Sequence, residues 1–281
     1  MEETIFKLRD SLIPIYGKRE TEAIIRLIFH HLKGWNLTEM LIHQKDELSI
    51  FIKNKVDEIL QRLKRYEPIQ YILGETRFHG MDLIIKPGVL RPRPETDELV
   101  DIIIDQNKNK EDLKVLDLCC GSGCIALALK RNLPFSCVTA VDFSSDAIEV
   151  AQENSRLLKA KLELRQEDIF DWMPTGKYDI IVSNPPYVMD HEALEMEKNV
   201  LDYEPHEALF VRDDNPLQYY LRISEIALAC LEEGGKLYLE INPLKADDLL
   251  SLLEAKGFTN VEIIKDSFGK RRFITCELEN P

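Results

Sequence analysis

The sequence lacks any long hydrophobic run. Its longest apolar stretches, such as Ile102–Ile104 and Ile125–Leu129, are far shorter than the roughly 18 residues that a membrane-spanning helix requires. The residues before Ile5 do not lead us to expect a signal peptide. We therefore expect a cytoplasmic protein that does not associate with a membrane.

Cysteine is scarce, and its spacing is irregular. The six cysteines show neither paired C-x-x-C spacing nor a regular disulfide framework. The cluster of Cys119, Cys120 and Cys124 has no flanking histidine or further cysteine at zinc-site spacing. We expect small buried thiols here and no metal site.

Positive charge is also in short supply. The chain has 36 Lys and Arg against 50 Asp and Glu, which gives a formal net charge of −14. Non-specific nucleic-acid binding depends on clustered basic residues, so a direct nucleic-acid target is not expected. Hydrophobic residues make up 44% of the sequence, a share typical of globular rather than disordered chains.

The length of 281 residues allows a domain of about 200 residues and a smaller one. Residues 1–70 show apolar positions three and four apart, as at Ile24, Leu27 and Ile28, which predicts an N-terminal helical bundle. Thr38 is expected to cap one of its helices.

The pattern changes after this bundle. Prolines and glycines interrupt residues 71–92, and the short runs between them predict a β-hairpin linker. Residues 93–281 alternate strand and helix patterns, which predicts an α/β fold with a mostly parallel, seven-stranded sheet covered by helices on both faces.

A glycine-containing turn follows the first predicted parallel strand. It reads D-L-C-C-G-S-G over Asp117–Gly123, and the next strand ends in Asp142. Glycines let a ligand approach the backbone closely, and an acidic side chain ending the next strand can accept hydrogen bonds from two ribose hydroxyls. Because only Gly121 and Gly123 are present, the dinucleotide pattern G-x-G-x-x-G is not met and NAD is disfavoured.

The turn resembles the D-x-G-x-G-x-G turn of class I S-adenosylmethionine methyltransferases, with Cys119 in place of the first glycine. We expect this cysteine to need only a negative φ. The resemblance implies a Rossmann-like class I methyltransferase fold, with S-adenosyl-L-methionine as cofactor and S-adenosyl-L-homocysteine as product. From the residues alone, a tight turn with a capping Asp117 stays open as an alternative.

The stretch Asn184-Pro185-Pro186-Tyr187 follows the predicted strand Tyr178–Ser183, at the strand end where ligands bind in open α/β sheets. Consecutive prolines stiffen the backbone, so the Asn184 side-chain oxygen and the Pro185 carbonyl form a rigid pair of acceptors. This pair can accept both hydrogens of a planar NH2 group while Tyr187 stacks on its face. The alternative is a proline-rich turn in which Tyr187 merely packs.

Together these residues resemble the glutamine N5-methyltransferases of peptide chain release factors, often called HemK-like. The R-P-R-P-E-T segment, Arg91–Thr96, is much more specific than N-P-P-Y. Further matching segments are Glu67–Val100, V-L-D-L-C-C-G-S-G-C-I-A-L-A-L, N-P-P-Y-V, Tyr203–Leu209 and Asp266–Arg272. The resemblance implies in-line methylation of the side-chain amide nitrogen, N5, of the glutamine in the Gly-Gly-Gln motif of class 1 release factors.

The resemblance also implies roles for individual residues. The implied cofactor-binding residues are Cys119, Cys120, Gly121, Ser122, Gly123, Asp142, Ile169 and Asn184. The implied substrate-binding residues are Asn184, Pro185, Pro186 and Tyr187, of which Asn184, Pro185 and Tyr187 are catalytic. Asp142 would hold the ribose and Ile169 would lie by the adenine, with Arg91–Thr96 over the cofactor. Residues 93–281 would form the methyltransferase domain, and the bundle with its hairpin would help dock the release factor.

Other functions remain open from the residues. A glutamine methyltransferase of a ribosomal protein would use the same site. An N6-adenine or N4-cytosine methyltransferase could present a flipped base to it, although the net charge of −14 argues against nucleic acid. A cofactor-binding adaptor without catalysis is a further alternative. We expect His191 and His206 to have surface or packing roles rather than to act as a base, and we expect a monomer.

Overall fold

The protein is described by a computed structural model in which residues 1–279 are defined. Its helices are α1 (Glu2–Lys33), α2 (Leu37–Ile42), α3 (Ile50–Leu63), α4 (Ile69–Leu73), α5 (Pro94–Asn107), α6 (Cys124–Asn132), α7 (Ser145–Leu157), α8 (Lys198–Leu201), α9 (Gln218–Cys230) and α10 (Ala246–Ala255). Its strands are β1 (Glu75–Phe78), β2 (Met81–Ile84), β3 (Lys114–Leu118), β4 (Cys137–Asp142), β5 (Glu163–Gln166), β6 (Tyr178–Ser183), β7 (Val188–Met189), β8 (Phe210–Val211), β9 (Leu231–Glu240), β10 (Thr259–Lys265) and β11 (Arg271–Glu277). None of the helices formed by these residues combines the length and the apolar character needed to cross a bilayer.

Within residues 1–279 the chain forms two compact units. The first comprises Met1–Gly74 and Glu197–Tyr203, and the second comprises Glu75–Met196 and the chain from Glu204 onward. These limits differ from the predicted ones in two respects. The hairpin belongs to the second unit, and a short segment that includes α8 belongs to the first.

The first unit is helical. Its core consists of apolar side chains spaced by three or four positions, such as Ile25 and Ile28 of α1 and Val56 and Leu60 of α3. α1 is kinked at Gly17, whose φ of 72° and ψ of 166° are not helical. Burial of one stripe on each helix therefore holds this unit together.

The cap of α2 differs from the prediction. The side chain of Asn36 accepts a hydrogen bond from the Glu39 N–H, and the Glu39 side chain accepts one from the Asn36 N–H. This reciprocal capping box identifies Asn36 as the N-cap, the residue that directly precedes the helix. The prediction that Thr38 is the cap is wrong, because Thr38 already lies inside α2.

The second unit is built on a mixed sheet. Within residues 1–279 this sheet has seven strands in the order β10, β11, β9, β6, β3, β4, β5. The strands from β9 to β5 pair in parallel, whereas β11 is antiparallel to both β9 and β10. The predicted α/β fold with a mostly parallel, seven-stranded sheet is confirmed.

Both faces of the sheet are buried by helices. On β3, Val115 packs with Leu99 and Leu127 of α5 and α6, whereas its neighbour Leu116 packs with Ile223 of α9. Successive side chains of a strand point to opposite faces, so neighbouring apolar residues of the central strands are buried on both faces of the sheet. Their carboxyl ends share one edge of the sheet, and the polar residues of the site follow those ends.

The hairpin of β1 and β2 is fastened to the α/β core. The fully buried Asn154 of α7 accepts a hydrogen bond from the Ile84 N–H at 2.7 Å and donates to the Ile84 carbonyl at 3.0 Å. The same amide donates to the Ser122 carbonyl at 3.1 Å. One buried amide thus ties the hairpin to the turn after β3.

Candidate active site

A cleft with about 800 Å³ of empty space lies at the carboxyl edge of the sheet. It is bordered by the turn after β3, the end of β4, the loop after β6 and the segment before α5. The predicted site residues that line it are Cys119, Cys120, Gly121, Ser122, Asp142, Asn184 and Pro186. A second cleft of about 540 Å³ shares Cys119 and Asp142 with the first and contains Ile169.

The turn after β3 has an unusual backbone. Cys119, Gly121 and Gly123 have φ angles of 60°, 53° and 76°. The expectation that Cys119 needs only a negative φ is wrong, because Cys119 occupies the left-handed region, where a Cβ atom is strained and glycine is not. A Cβ placed on Gly121 would meet no atom within 4 Å, so open space faces the turn at that point. A ligand can therefore approach this backbone closely.

Asp142 connects the end of β4 to this turn. Its Oδ2 accepts a hydrogen bond from the Gly121 N–H at 2.8 Å, and its Oδ1 accepts one from the Ser144 N–H at 3.0 Å. Burial raises the pKa of Asp142 above its ordinary value, and the backbone N–H donors partly oppose that rise. Each oxygen keeps a further lone pair, so the carboxylate can also accept two hydroxyl groups from the cleft.

Asp117, at the start of the turn motif, is fully buried. Its Oδ2 accepts a hydrogen bond from the Ala126 N–H at 3.1 Å, while its Oδ1 has no partner among residues 1–279. Burial raises the pKa of Asp117 to about 8; the Ala126 N–H opposes this and the charge of Asp142 adds to it. Of the two acidic side chains, Asp142 lines the cleft beside the open glycine turn, and it fits a cofactor that carries positive charge and hydroxyl donors.

Aromatic side chains surround Ile169 in the second cleft. Phe143, Phe170 and Tyr219 line it, and the rings of Phe170 and Tyr219 meet edge to face at 5.1 Å. Aromatic rings of this kind suit a planar heterocycle. The sequence interpretation missed these rings, although Phe143 directly follows Asp142 and Phe170 directly follows Ile169. Tyr219 lies on α9, and no sequence motif around it indicates a place in the cleft.

Asn184 belongs to a hydrogen-bonded chain of side chains. Its Nδ2 donates to Thr96 Oγ1 at 3.3 Å, and Thr96 Oγ1 donates to Glu240 Oε2 at 2.7 Å. The hydroxyl of Tyr187 donates to Glu240 Oε1 at 3.0 Å. Burial raises the pKa of Glu240, and the Thr96 and Tyr187 hydroxyls and the charge of Arg272 oppose that rise. The sequence interpretation had not identified Glu240 or this role of Thr96.

The residues of the N-P-P-Y stretch occupy different environments. Asn184 and Pro186 line the cleft, whereas Pro185 and Tyr187 are not among its lining residues in the described chain. The Pro185 carbonyl accepts no hydrogen bond from residues 1–279. Tyr187 packs against the apolar core on the α9 side of the sheet through its ring. Its stacking on a substrate stays a prediction.

The segment before α5 is held by a buried carboxylate. Glu204, whose side chain is 0% exposed, accepts a hydrogen bond from Arg91 Nη2 at 2.5 Å. Arg93 Nη2 donates to both Glu204 oxygens at 2.9 Å. Because Arg91 and Arg93 line the cleft, this triad shapes its wall next to Thr96.

The two candidate histidines lie elsewhere. His191 is exposed, with its Nδ1 at 2.8 Å from Asp213, and the ring of His206 meets Phe210 edge to face at 5.3 Å. Among residues 1–279, neither histidine lines the clefts described above.

Comparison with known proteins reveals two family matches and close relatives. Residues 81–203 match the methyltransferase small domain, and residues 15–74 match the PrmC N-terminal domain. The chain is 43% identical over 271 residues to the release factor glutamine methyltransferase of Bacteroides thetaiotaomicron, covering 96% of this chain and 97% of that protein. It is 40% identical to the release factor glutamine methyltransferase of Flavobacterium psychrophilum, covering 94% of each.

A solved structure has a similar fold. It is a 16S rRNA methyltransferase of T. thermophilus in complex with AdoMet and guanosine, with a TM-score of 0.54 and 20% sequence identity. The similarity covers 73% of this chain and 50% of that chain. At this identity the likeness concerns the fold alone.

Proposed function

Because the chain belongs to the family of release factor glutamine methyltransferases, we propose that it methylates N5 of the glutamine in the Gly-Gly-Gln motif of class 1 release factors, with S-adenosyl-L-methionine as methyl donor. The predicted family and the class I methyltransferase fold are confirmed by these relatives and domains. The chain is thus a methyltransferase, while the details of its site are proposals. A cytoplasmic location is proposed because translation termination takes place there.

One observation carries the proposal for the site. Asn184 stands at the carboxyl end of β6, and its Oδ1 accepts no hydrogen bond from residues 1–279. The Pro185 carbonyl is equally unoccupied within the described chain. Two acceptors on a stiff backbone match the two hydrogens of a primary amide.

The residues that follow β6 would hold the reacting amide of the glutamine in place. Asn184 Oδ1 and the Pro185 carbonyl would accept the two N–H hydrogens of the glutamine and fix the plane of its amide. An amide nitrogen is a weak nucleophile because its lone pair is delocalised, so orientation matters. Fixed reactants contribute up to about 7–11 kcal/mol to lowering a barrier in favourable cases. The amide proton becomes acidic only after the new bond forms, and a strong base is unnecessary.

The cofactor residues have separate tasks. When bound, S-adenosyl-L-methionine supplies a methyl group on a positively charged sulfur. The turn of residues 119–123 would hold its methionine part, Asp142 would accept its ribose hydroxyls, and Ile169 with the neighbouring aromatic rings would enclose its adenine. The carboxylate of Asp142, which lines the cleft, would favour its positive charge.

The first unit is proposed to assist substrate docking. Residues 15–74 match the PrmC N-terminal domain, and relatives of this chain are named for a protein substrate. The helical unit would provide a surface for such a partner.

Replacing Asp142 by asparagine is expected to weaken cofactor binding about 30-fold, or roughly 2 kcal/mol. Asn would turn an NH2 group toward either the Gly121 or the Ser144 N–H, and it would lose one acceptor for the ribose. In the wild-type protein the carboxyl must be ionised to accept both hydroxyls. Because its pKa is raised, affinity should fall as the pH falls through that pKa, whereas the Asn variant should show no such fall. Calorimetry over a series of pH values measures both effects.

The matched control is Asp179→Asn. Asp179 also accepts a backbone N–H, that of Lys114 at 2.8 Å, but it lies at the amino end of β6. Its substitution should leave cofactor affinity unchanged within about twofold. Equal affinities of the Asp142→Asn variant and the wild type would remove the ribose role.

The proposed function is tested by following a labelled methyl group. The enzyme is incubated with a release factor and methyl-labelled S-adenosyl-L-methionine, and the products are mapped by mass spectrometry. We expect one methyl group on the Gly-Gly-Gln glutamine and none when that glutamine is replaced by alanine. Ribosomes and nucleic acids are incubated in parallel. Label in either of them, with none in the release factor, would overturn the proposal.

A further inference from the structure

A side-chain amide can face a substrate in two ways. The oxygen and the NH2 group of Asn184 have nearly the same size, and rotation about the last bond exchanges them. With the oxygen toward the glutamine, Asn184 accepts an N–H. With the NH2 group toward it, two donors face each other and the contact is lost. A neighbouring group must therefore fix which end of the Asn184 amide faces the glutamine.

The hydrogen-bonded chain decides that orientation. The Thr96 hydroxyl has a single hydrogen, and the two oxygens of Glu240 accept hydrogen bonds from the Thr96 and Tyr187 hydroxyls. Thr96 Oγ1 lies 2.7 Å from Glu240 Oε2, so its hydrogen goes there. Only its lone pairs remain for Asn184, at 3.3 Å, and they require the NH2 group. The Asn184 oxygen must then point away from Thr96.

Glu240 is itself fixed in place. It is 1% exposed, and its other oxygen accepts the Tyr187 hydroxyl at 3.0 Å. The parallel pairing of Ser183 with Leu239 places Asn184 and Glu240 next to each other, one residue beyond the paired positions of β6 and β9. Thr96 reaches them from the first turn of α5. Three separate elements thus meet at one amide.

We propose that Thr96 and Glu240 are positioning residues that hold the Asn184 amide with its oxygen toward the substrate glutamine. In this arrangement Tyr187 also acts through Glu240, as the second hydroxyl that keeps the carboxylate from rotating. The inference rests on the proposed function and adds to it a reason why the R-P-R-P-E-T segment ends in threonine. Thr96 serves the methyl acceptor, in addition to any contact of its segment with the cofactor.

Thr96→Val removes the hydroxyl and keeps the shape of the side chain. We expect kcat to fall about tenfold, because a hydrogen bond worth about 1.4 kcal/mol no longer selects one amide orientation. KM for the release factor and the affinity for cofactor should stay within about twofold. Thr96→Ser, which restores the hydroxyl, should recover most of the lost kcat. The control Thr139→Val removes a Thr–Glu hydrogen bond, to Glu163 at 3.2 Å, outside the site and should leave kcat unchanged.

A double-mutant cycle separates positioning from a general effect on structure. If Thr96 acts through Asn184, Thr96→Val should have no further effect in the Asn184→Ala background. Independent roles would instead multiply the two losses. Glu240→Gln provides a second route, since a glutamine can donate to Thr96 and release its hydrogen toward Asn184. This variant should lose kcat about tenfold as well and should be equally silent beside Asn184→Ala.

The outcomes distinguish this inference from the proposed function. A wild-type enzyme that transfers no methyl group to a release factor contradicts the proposed function. An active wild type combined with full kcat in Thr96→Val, or with losses that multiply in the double mutant, contradicts only the positioning role. Should Thr96→Val not fold, Glu240→Gln and its double mutant decide the question alone.

Discussion

Replacing Asn184 by alanine is expected to lower turnover about 150-fold, which corresponds to roughly 3 kcal/mol of lost transition-state stabilisation. The variant keeps the backbone of the N-P-P-Y stretch but removes the only side-chain acceptor that we assign to the glutamine amide. One hydrogen of that amide would lose its partner, and the nitrogen would no longer be held in line with the methyl carbon. The loss should appear in kcat at saturating cofactor and release factor.

Single-turnover methylation gives the cleanest measurement, because it excludes product release from the rate. The affinity for cofactor is measured separately, since Asn184 also lines the cofactor cleft. Asn109→Ala is the control: this asparagine is exposed between α5 and β3, at the opposite end of the sheet, and its loss should not change the rate. An Asn184→Ala enzyme with wild-type turnover and normal cofactor binding would refute the role of the amide.

Replacing Glu204 by glutamine is expected to destabilise the second unit by about 3 kcal/mol. The side chain of Glu204 is fully buried, and it is the carboxylate that compensates both Arg91 and Arg93. A neutral amide would remove the negative charge that these two guanidinium groups share. The value lies at the lower end for broken buried ion pairs because the side chain of Arg93 is 28% exposed and stays partly hydrated.

Tryptophan fluorescence can follow this unit selectively. The sequence contains two tryptophans, Trp35 in the helical unit and Trp172 in the α/β unit, so a Trp35→Phe background leaves one reporter in the unit that holds the triad. Urea unfolding in that background gives the change in stability. Asp214→Asn breaks an exposed pair with Arg212 and should cost less than about 0.5 kcal/mol. If both substitutions lowered the free energy of unfolding equally, the buried triad would contribute no more to stability than an exposed ion pair.

Local sequence patterns predicted the architecture and the main landmarks of the site. Alternating strand and helix patterns gave the parallel sheet, and the turn before Gly123, the acidic end of β4 and the N-P-P-Y stretch lie at its carboxyl edge. These features were predictable because strand and helix periods, glycine turns and proline stiffness are properties of a few consecutive residues. The short motifs that contain Asp142 and Asn184 could be recognised without any knowledge of distant parts of the chain.

Two local details of the structure differ from the sequence predictions. Cys119 has a positive φ although it is not glycine, and Asn36 rather than Thr38 caps α2. The turn after β3 fixes a φ of Cys119 that its residue type does not specify, whereas Asn36 has the ordinary extended backbone of an N-cap. The attachment of Glu197–Tyr203 to the helical unit is a similar result, since that segment interrupts the α/β pattern without any change in composition.

Only the tertiary structure decided which residues support Asn184. Thr96 and Glu240 lie 88 residues before it and 56 residues after it in the sequence, and they meet it because β6 and β9 pair in one register while α5 begins beside them. Tyr219 reaches the second cleft from α9 in the same way. The hydrophobic periodicity of each helix or strand can be recognised from its own consecutive residues. Contacts between polar side chains of separate elements depend on how those elements pack, and a register shift of one residue in β9 would turn Glu240 to the opposite face of the sheet.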